Sequence, residues 1–98
     1  MPRIIKVAAA QLGPVHRDST RHDTLSRMIK LLRSASTLDS QLVLFPETAF
    51  TTFFPRHLIS DQQELDSYFE HADDLPGSPM TEPLFDEASK LGIDISVG

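Results

Sequence analysis

Apolar positions along the chain change their period several times, and each change marks an element. Residues 4–10, Ile-Ile-Lys-Val-Ala-Ala-Ala, lead with β-branched side chains and end in small ones. That composition suits a strand packed closely beneath helices, and Gly13-Pro14 ends it. The period then becomes helical. Leu25, Met28, Ile29, Leu32 and Ala35 fall at i, i+3, i+4, i+7 and i+10 and form one apolar stripe, with Arg21, Arg27, Lys30 and Arg33 at other positions. Asp18 or Ser19 can cap this helix. A loop over residues 36–40 precedes a second strand over 41–45, which Pro46 cannot continue because it lacks an N–H.

Residues 48–56 have no period and are rich in Thr and Phe. Asp61-Gln62-Gln63-Glu64 has the form of a capping box with Asp as the cap, and Leu65, Tyr68, Phe69 and Ala72 then give a short amphipathic helix. Asp74-Leu75-Pro76-Gly77 predicts a turn. Ser78-Pro79 offers a cap followed by proline at the first helical position, Leu84, Phe85, Ala88 and Leu91 form the stripe of another helix, and Gly92 ends it. Ile93, Ile95 and Val97 alternate with Asp94 and Ser96, a third strand. Strands alternating with helices place the chain in the α/β class, with parallel strands and right-handed crossovers. A parallel sheet needs both faces covered. The helices are few for that, so residues 1–98 read as a partial domain interrupted at Gly98.

Composition removes several functions. The net charge is −5, which argues against a nucleic-acid surface. There is no cysteine, so disulfides, thiolate metal sites and a cysteine nucleophile are excluded within these residues. The amino-terminal residues show no signal-peptide pattern and no segment has the length to span a bilayer, so a cytoplasmic protein with no membrane partner is expected. No metal site is expected: His16 and His22 with Asp18 and Asp23 do not share a helical face, His71 with Asp73 and Asp74 is a helix-end cluster, and His57 reads as exposed. No G-x-S-x-G elbow and no glycine-rich phosphate loop occur.

What remains is Phe45-Pro46-Glu47. The second strand delivers Glu47 at its carboxyl end, where open α/β sheets place their ligands. Phe45, Phe50, Phe53 and Phe54 are expected to wall it off from water. A poorly solvated carboxylate is a stronger base, suited to general-base work near neutrality. The alternative is a structural glutamate that pairs with an arginine or caps a helix.

Gln41-Leu42-Val43-Leu44-Phe45-Pro46-Glu47 resembles the first catalytic motif of the nitrilase superfamily of carbon–nitrogen hydrolases, as does the opening Lys6-Val7-Ala8-Ala9-Ala10-Gln11. Thr51-Thr52-Phe53-Phe54-Pro55-Arg56, Glu64-Leu65-Asp66-Ser67 and Leu75-Pro76-Gly77 resemble the branch that acts on N-carbamoyl-D-amino acids. The resemblance covers essentially the whole chain. It implies a four-layer α-β-β-α sandwich, of which this chain is the N-terminal β-α-β-α-β portion. It implies hydrolysis of an N-carbamoyl-D-amino acid to the amino acid, carbon dioxide and ammonia by a glutamate, a lysine and a cysteine, with no cofactor and with homo-oligomeric assembly. Glu47 maps onto the general base, and Phe53, Phe54 and Arg56 fall near the substrate pocket. Lys6, Lys30 and Lys90 match no catalytic position, and the lysine and cysteine are expected beyond Gly98. Relatives commonly carry glycine near Asp39. Two alternatives stand beside this reading: a non-catalytic module that docks on a full-length relative through the third strand and the apolar helix faces, and an amidase or nitrilase with another substrate.

Overall fold

The computed structural model describes residues 3–69 and 78–98. The expected turn at 74–77, the apolar position Ala72 and the His71 cluster lie outside the described residues. In chain order the elements are β1 (Val7–Ala9), α1 (Arg21–Thr37), β2 (Leu42–Leu44), a 3-10 turn (Phe54–Arg56), α2 (Gln62–Ser67), α3 (Glu82–Leu91) and β3 (Asp94–Ser96). The three strands form one parallel sheet in the order β1-β2-β3. Ala8, Val43 and Ile95 stand opposite one another across it. The β-α-β-α-β order read from the sequence is the order of the fold.

The strands are shorter than their apolar runs because pairing starts late. Gln41 N–H donates to the Lys6 carbonyl at 2.8 Å and Lys6 N–H donates to Gln41 Oε1 at 3.0 Å. Ile4 and Ile5, ahead of this junction, are 85% and 48% exposed. Beyond it the pleat sorts side chains by parity. Val43 is fully buried beneath the helices, whereas Val7 and Leu44 on the opposite face are 56% and 43% exposed. The helices α1 and α3 pack on each other. Their stripes supply Leu25, Met28, Leu32, Ala35, Leu84 and Ala88 to a single core that includes Val43 and Phe45.

Three helix boundaries depart from the sequence reading, each for a local reason. The cap of α1 is Thr20, whose Oγ1 accepts from Asp23 N–H at 3.1 Å, and not Asp18 or Ser19. Ser19 is engaged one turn earlier, where its Oγ accepts from His16 N–H at 3.0 Å. Ser78 does not cap α3 directly. Its carbonyl accepts from Thr81 N–H at 2.9 Å and Glu82 N–H at 2.7 Å, which makes a turn that leads into the helix at Glu82. Pro83 thereby falls in the first helical turn, where no N–H is needed. The start of α2 is where the sequence puts it, with its capping box half used. Asp61 accepts from Gln63 N–H at 3.0 Å, while Glu64 turns away to another partner.

The third departure is at the end of α1, which runs to Thr37 instead of stopping before Ser36. It closes with Asp39 N–H donating to the Ser36 carbonyl at 3.1 Å and Ser40 N–H to the Ala35 carbonyl at 3.2 Å. This paired pattern is a Schellman closure, which needs a left-handed residue. Asp39 supplies it with φ 60°, and Gly92 supplies the same at the end of α3 with φ 66°. Glycine meets no Cβ penalty in that region and aspartate meets a partial one. Asp39→Gly is expected to raise stability by about 0.5–1 kcal/mol and Asp39→Val to lower it by about 1–2 kcal/mol, read as opposite shifts of the urea midpoint.

Candidate functional site

The central strand β2 ends in a sharp turn that presents Glu47. Phe45 N–H makes the last ladder bond, to the Ser96 carbonyl at 2.9 Å, and Pro46 stops the pairing. The next residue after Glu47 is Thr48, with φ 52°, and its carbonyl accepts from Thr51 N–H at 3.2 Å. A β-branched residue in the left-handed region is a true outlier, costing on the order of 1–3 kcal/mol unless its surroundings compel it. Gly98 passes close by: a methyl group added to it would stand 3.8 Å from Glu47 Cα.

Glu47 lines an open recess of about 210 Å³ together with Gly13, Pro14, Val15, Thr48, Phe53 and Arg56. One wall is held by α1, whose Arg27 donates to the carbonyls of Leu12 and Pro14. Of the pocket residues read from the sequence, Phe53 and Arg56 meet Glu47 in this recess. Phe54 does not line it. Its ring stacks on Tyr68 with centroids 5.5 Å apart and meets Phe69 edge-on at 5.3 Å. The Arg56 side chain has no hydrogen-bond or ion-pair partner among the described residues.

The aromatic enclosure expected around Glu47 is not formed. Phe45 follows the inward parity of Val43 into the core, Phe50 and Phe54 border other hollows, and Phe53 is itself 45% exposed. The Glu47 residue is accordingly exposed. A carboxylate in this setting keeps its water and stands open to groups approaching from outside the chain. The three lysines lie elsewhere. Lys6 sits at the amino ends of the strands, opposite the end that carries Glu47, and Lys30 and Lys90 lie on α1 and α3.

A larger hollow of about 700 Å³ lies to the side, bordered by Arg17, Arg21, Glu64, Phe69 and Met80. Its charges are satisfied internally. Arg17 donates through Nε and Nη2 to the two Glu64 oxygens, at 2.6 Å each, and Tyr68 Oη donates to Glu64 Oε2 at 2.7 Å. Arg21 Nη2 donates to the Ser67 carbonyl at 2.9 Å. The Arg17 fork, and secondly the Tyr68 hydroxyl, pull the Glu64 carboxyl down to about 2. The same carboxylate pushes the Tyr68 phenol upward.

A carboxyl whose value is depressed on folding stabilises the fold above its unfolded value and loses that contribution as the pH falls toward the folded one. The Glu64 contribution is therefore intact above 4.5 and declines from there toward about 2. Acid titration followed by the Tyr68 ring signals should show this transition, and Glu64→Gln should remove it.

Sequence reading named Glu47, Phe53, Phe54 and Arg56, of which the fold brings Glu47, Phe53 and Arg56 to one recess. It missed Thr48, because a positive φ leaves no trace in the residue type when the residue is not glycine. It also missed the Arg17–Glu64–Tyr68 cluster. The i, i+4 spacing of Glu64 and Tyr68 was the available signal, but Arg17 joins them only through the fold. Among the described residues no three His, Cys, Asp or Glu side chains gather as a metal site would require, and no helix is long and apolar enough to cross a membrane.

A parallel β-α-β-α-β sheet with a carboxylate at the carboxyl end of its middle strand defines the class: an α/β protein with a candidate site at the strand ends. The family model of carbon–nitrogen hydrolases matches residues 6–98. The chain belongs to that family.

Proposed function

We propose that this chain supplies Glu47 as the general base of a hydrolase that converts N-carbamoyl-D-amino acids to the free amino acid, carbon dioxide and ammonia. The observation that carries the reading is the delivery of Glu47 at the carboxyl end of β2, on the turn held by left-handed Thr48 and within one recess with Phe53 and Arg56. Family membership supports the chemistry of carbon–nitrogen bond hydrolysis. The segment at 51–56 supports the carbamoyl substrate, by resemblance.

The steps follow from one proton carrier. Glu47 takes the proton of a cysteine thiol supplied from outside these residues, and the sulfur bonds to the carbamoyl carbon. A lysine, also from outside, stabilises the oxyanion. The carbon–nitrogen bond breaks as Glu47 returns the proton to departing ammonia. Water then adds to the resulting thiocarbamate while Glu47 accepts its proton, the carbon–sulfur bond breaks as Glu47 returns that proton to the sulfur, and the carbamate loses carbon dioxide to leave the amine. The exposure of Glu47 fits this division of labour, because both thiol and water must reach it. Arg56, unpaired on the same recess, is positioned to hold the substrate's carboxylate by a charge-assisted bond. The open face of the sheet, with Val7 and Leu44 exposed, fits the packing of a second sheet in a four-layer sandwich and assembly with further copies.

The reading is tested by assaying the full-length protein on N-carbamoyl amino acids against simple amides and nitriles. Preferential turnover of the carbamoyl acids is expected, with Arg56→Ala raising KM for them about tenfold through the lost charge-assisted bond. Preference for uncharged amides or nitriles would overturn the substrate assignment. The 98-residue chain alone, having no cysteine, is expected to turn over none of these substrates, as measured by ammonia release.

A further inference from the structure

The cluster joining α2 to the rest of the molecule has no role in the chemistry above, yet it ends one residue from the recess. The helix α2 contains no buried residue, so apolar burial within the helix does not seat it. Instead it is tied at discrete points. Glu64 takes the two-pronged fork from Arg17, the Ser67 carbonyl takes Arg21, and Tyr68 bonds back to Glu64 through its hydroxyl. Two parallel bonds from a planar guanidinium fix direction as well as distance. Immediately past the helix, the Tyr68 and Phe69 rings grip Phe54 from two sides, at 5.5 and 5.3 Å.

Phe54 is the first residue of the 3-10 turn and lies between Phe53 and the recess-lining Arg56. The turn itself is thin. It is closed by Arg56 N–H on the Phe53 carbonyl at 3.3 Å and His57 N–H on the Phe54 carbonyl at 3.0 Å. At the other end of the segment sits the left-handed Thr48. A strained residue persists only where the surroundings over-determine it; buried Ala49 and Thr52 hold the near side of this segment, Thr52 Oγ1 lies 3.4 Å from His57 Nε2, and the grip on Phe54 is an aromatic anchor on its far side.

We infer that α2 is a strap, in which Arg17, Glu64 and Tyr68 are positioning residues that act through Phe54 to set Phe53 and Arg56 on the substrate side of the Glu47 recess. The inference rests on the proposed role of the recess and adds to it a determinant of substrate affinity outside the recess. The Tyr68 ring carries the grip, and its hydroxyl, with Glu64 and Arg17, aims that ring.

Two measurements on the full-length protein test this. Amide hydrogen exchange is the first. Tyr68→Ala should speed exchange at Arg56 and His57 about tenfold or more, with the core amides of Leu32 and Ala88 unchanged. Tyr68→Phe, which keeps the ring, should recover most of the protection, and Glu64→Gln should fall between. Unchanged exchange at Arg56 and His57 in Tyr68→Ala would overturn the strap, and so would equal acceleration throughout the core in both Tyr68→Ala and Glu64→Gln. Steady-state kinetics on N-carbamoyl amino acids is the second. Tyr68→Ala should raise KM about tenfold with kcat within about threefold, since misplaced walls weaken substrate holding and leave the base in place. Glu47→Gln, run alongside, should do the reverse. A loss of kcat in Glu47→Gln with an unmoved KM in Tyr68→Ala would refute the strap alone. Unchanged kcat in Glu47→Gln would refute the role of the recess, leaving the exchange result to judge the mechanical tie.

Discussion

Replacing Glu47 by glutamine is expected to lower kcat of the full-length protein by about 10²–10⁴-fold, the range that a positioned proton carrier contributes. This corresponds to about 3–5 kcal/mol of barrier. The amide preserves the size of the side chain and removes its capacity to accept a proton. The fold should not notice, because Glu47 is exposed and neither a hydrogen bond nor an ion pair joins its side chain to another described residue. The urea midpoint should stay where it is and KM should change little. That combination separates a base from a structural glutamate, whose loss would shift the midpoint and spare kcat.

The second large effect belongs to the core. Leu32 and Leu84 are both fully buried, on α1 and α3 in the one apolar cluster that also holds Val43. Truncation of either to alanine removes buried methylenes and leaves a cavity that the sheet can only partly fill, a loss of about 2–5 kcal/mol. Against a total stability of about 5–15 kcal/mol for a typical domain, that is a large fraction. Leu32→Met, which conserves volume, should cost less than about 1.5 kcal/mol. Chemical denaturation of the three variants checks the order. A Leu32→Ala midpoint equal to that of the unsubstituted protein would mean that α1 and α3 do not share this core.

Much of the fold was legible because the helical stripes are strict. Of the stripe Leu25, Met28, Ile29, Leu32 and Ala35 all are buried but the half-buried Ile29, and of Leu84, Phe85, Ala88 and Leu91 the first and third are buried and the other two half-buried. The alternation of Ile93, Ile95 and Val97 gave a third strand, and that strand pairs in parallel with β2. Boundaries were less legible because caps compete locally. Ser19, Thr20 and Ser78 carry interchangeable hydroxyls, and only the geometry of the preceding turns decides which of them meets a helix.

Glu47 was legible as a strand-end carboxylate, but its surroundings were not. A run of phenylalanines suggested a dry enclosure, whereas each ring obeys a different constraint. Parity takes Phe45 inward, the α2 aromatics hold Phe54, and Phe53 alone stays beside the recess. The Arg17–Glu64 fork joins residues far apart in sequence, and nothing in the local pattern of either announces the other.

Chemical rescue tests the central claim most directly, since it asks whether a carboxylate is what the site needs. Glu47→Ala vacates space on an open recess of about 210 Å³, into which formate can diffuse. Turnover of an N-carbamoyl amino acid by the full-length Glu47→Ala protein should be nearly absent without added carboxylate and should rise with formate concentration. A rate that stays flat as formate is added, whether at the wild-type level or at background, would contradict the assignment of Glu47 as the proton carrier.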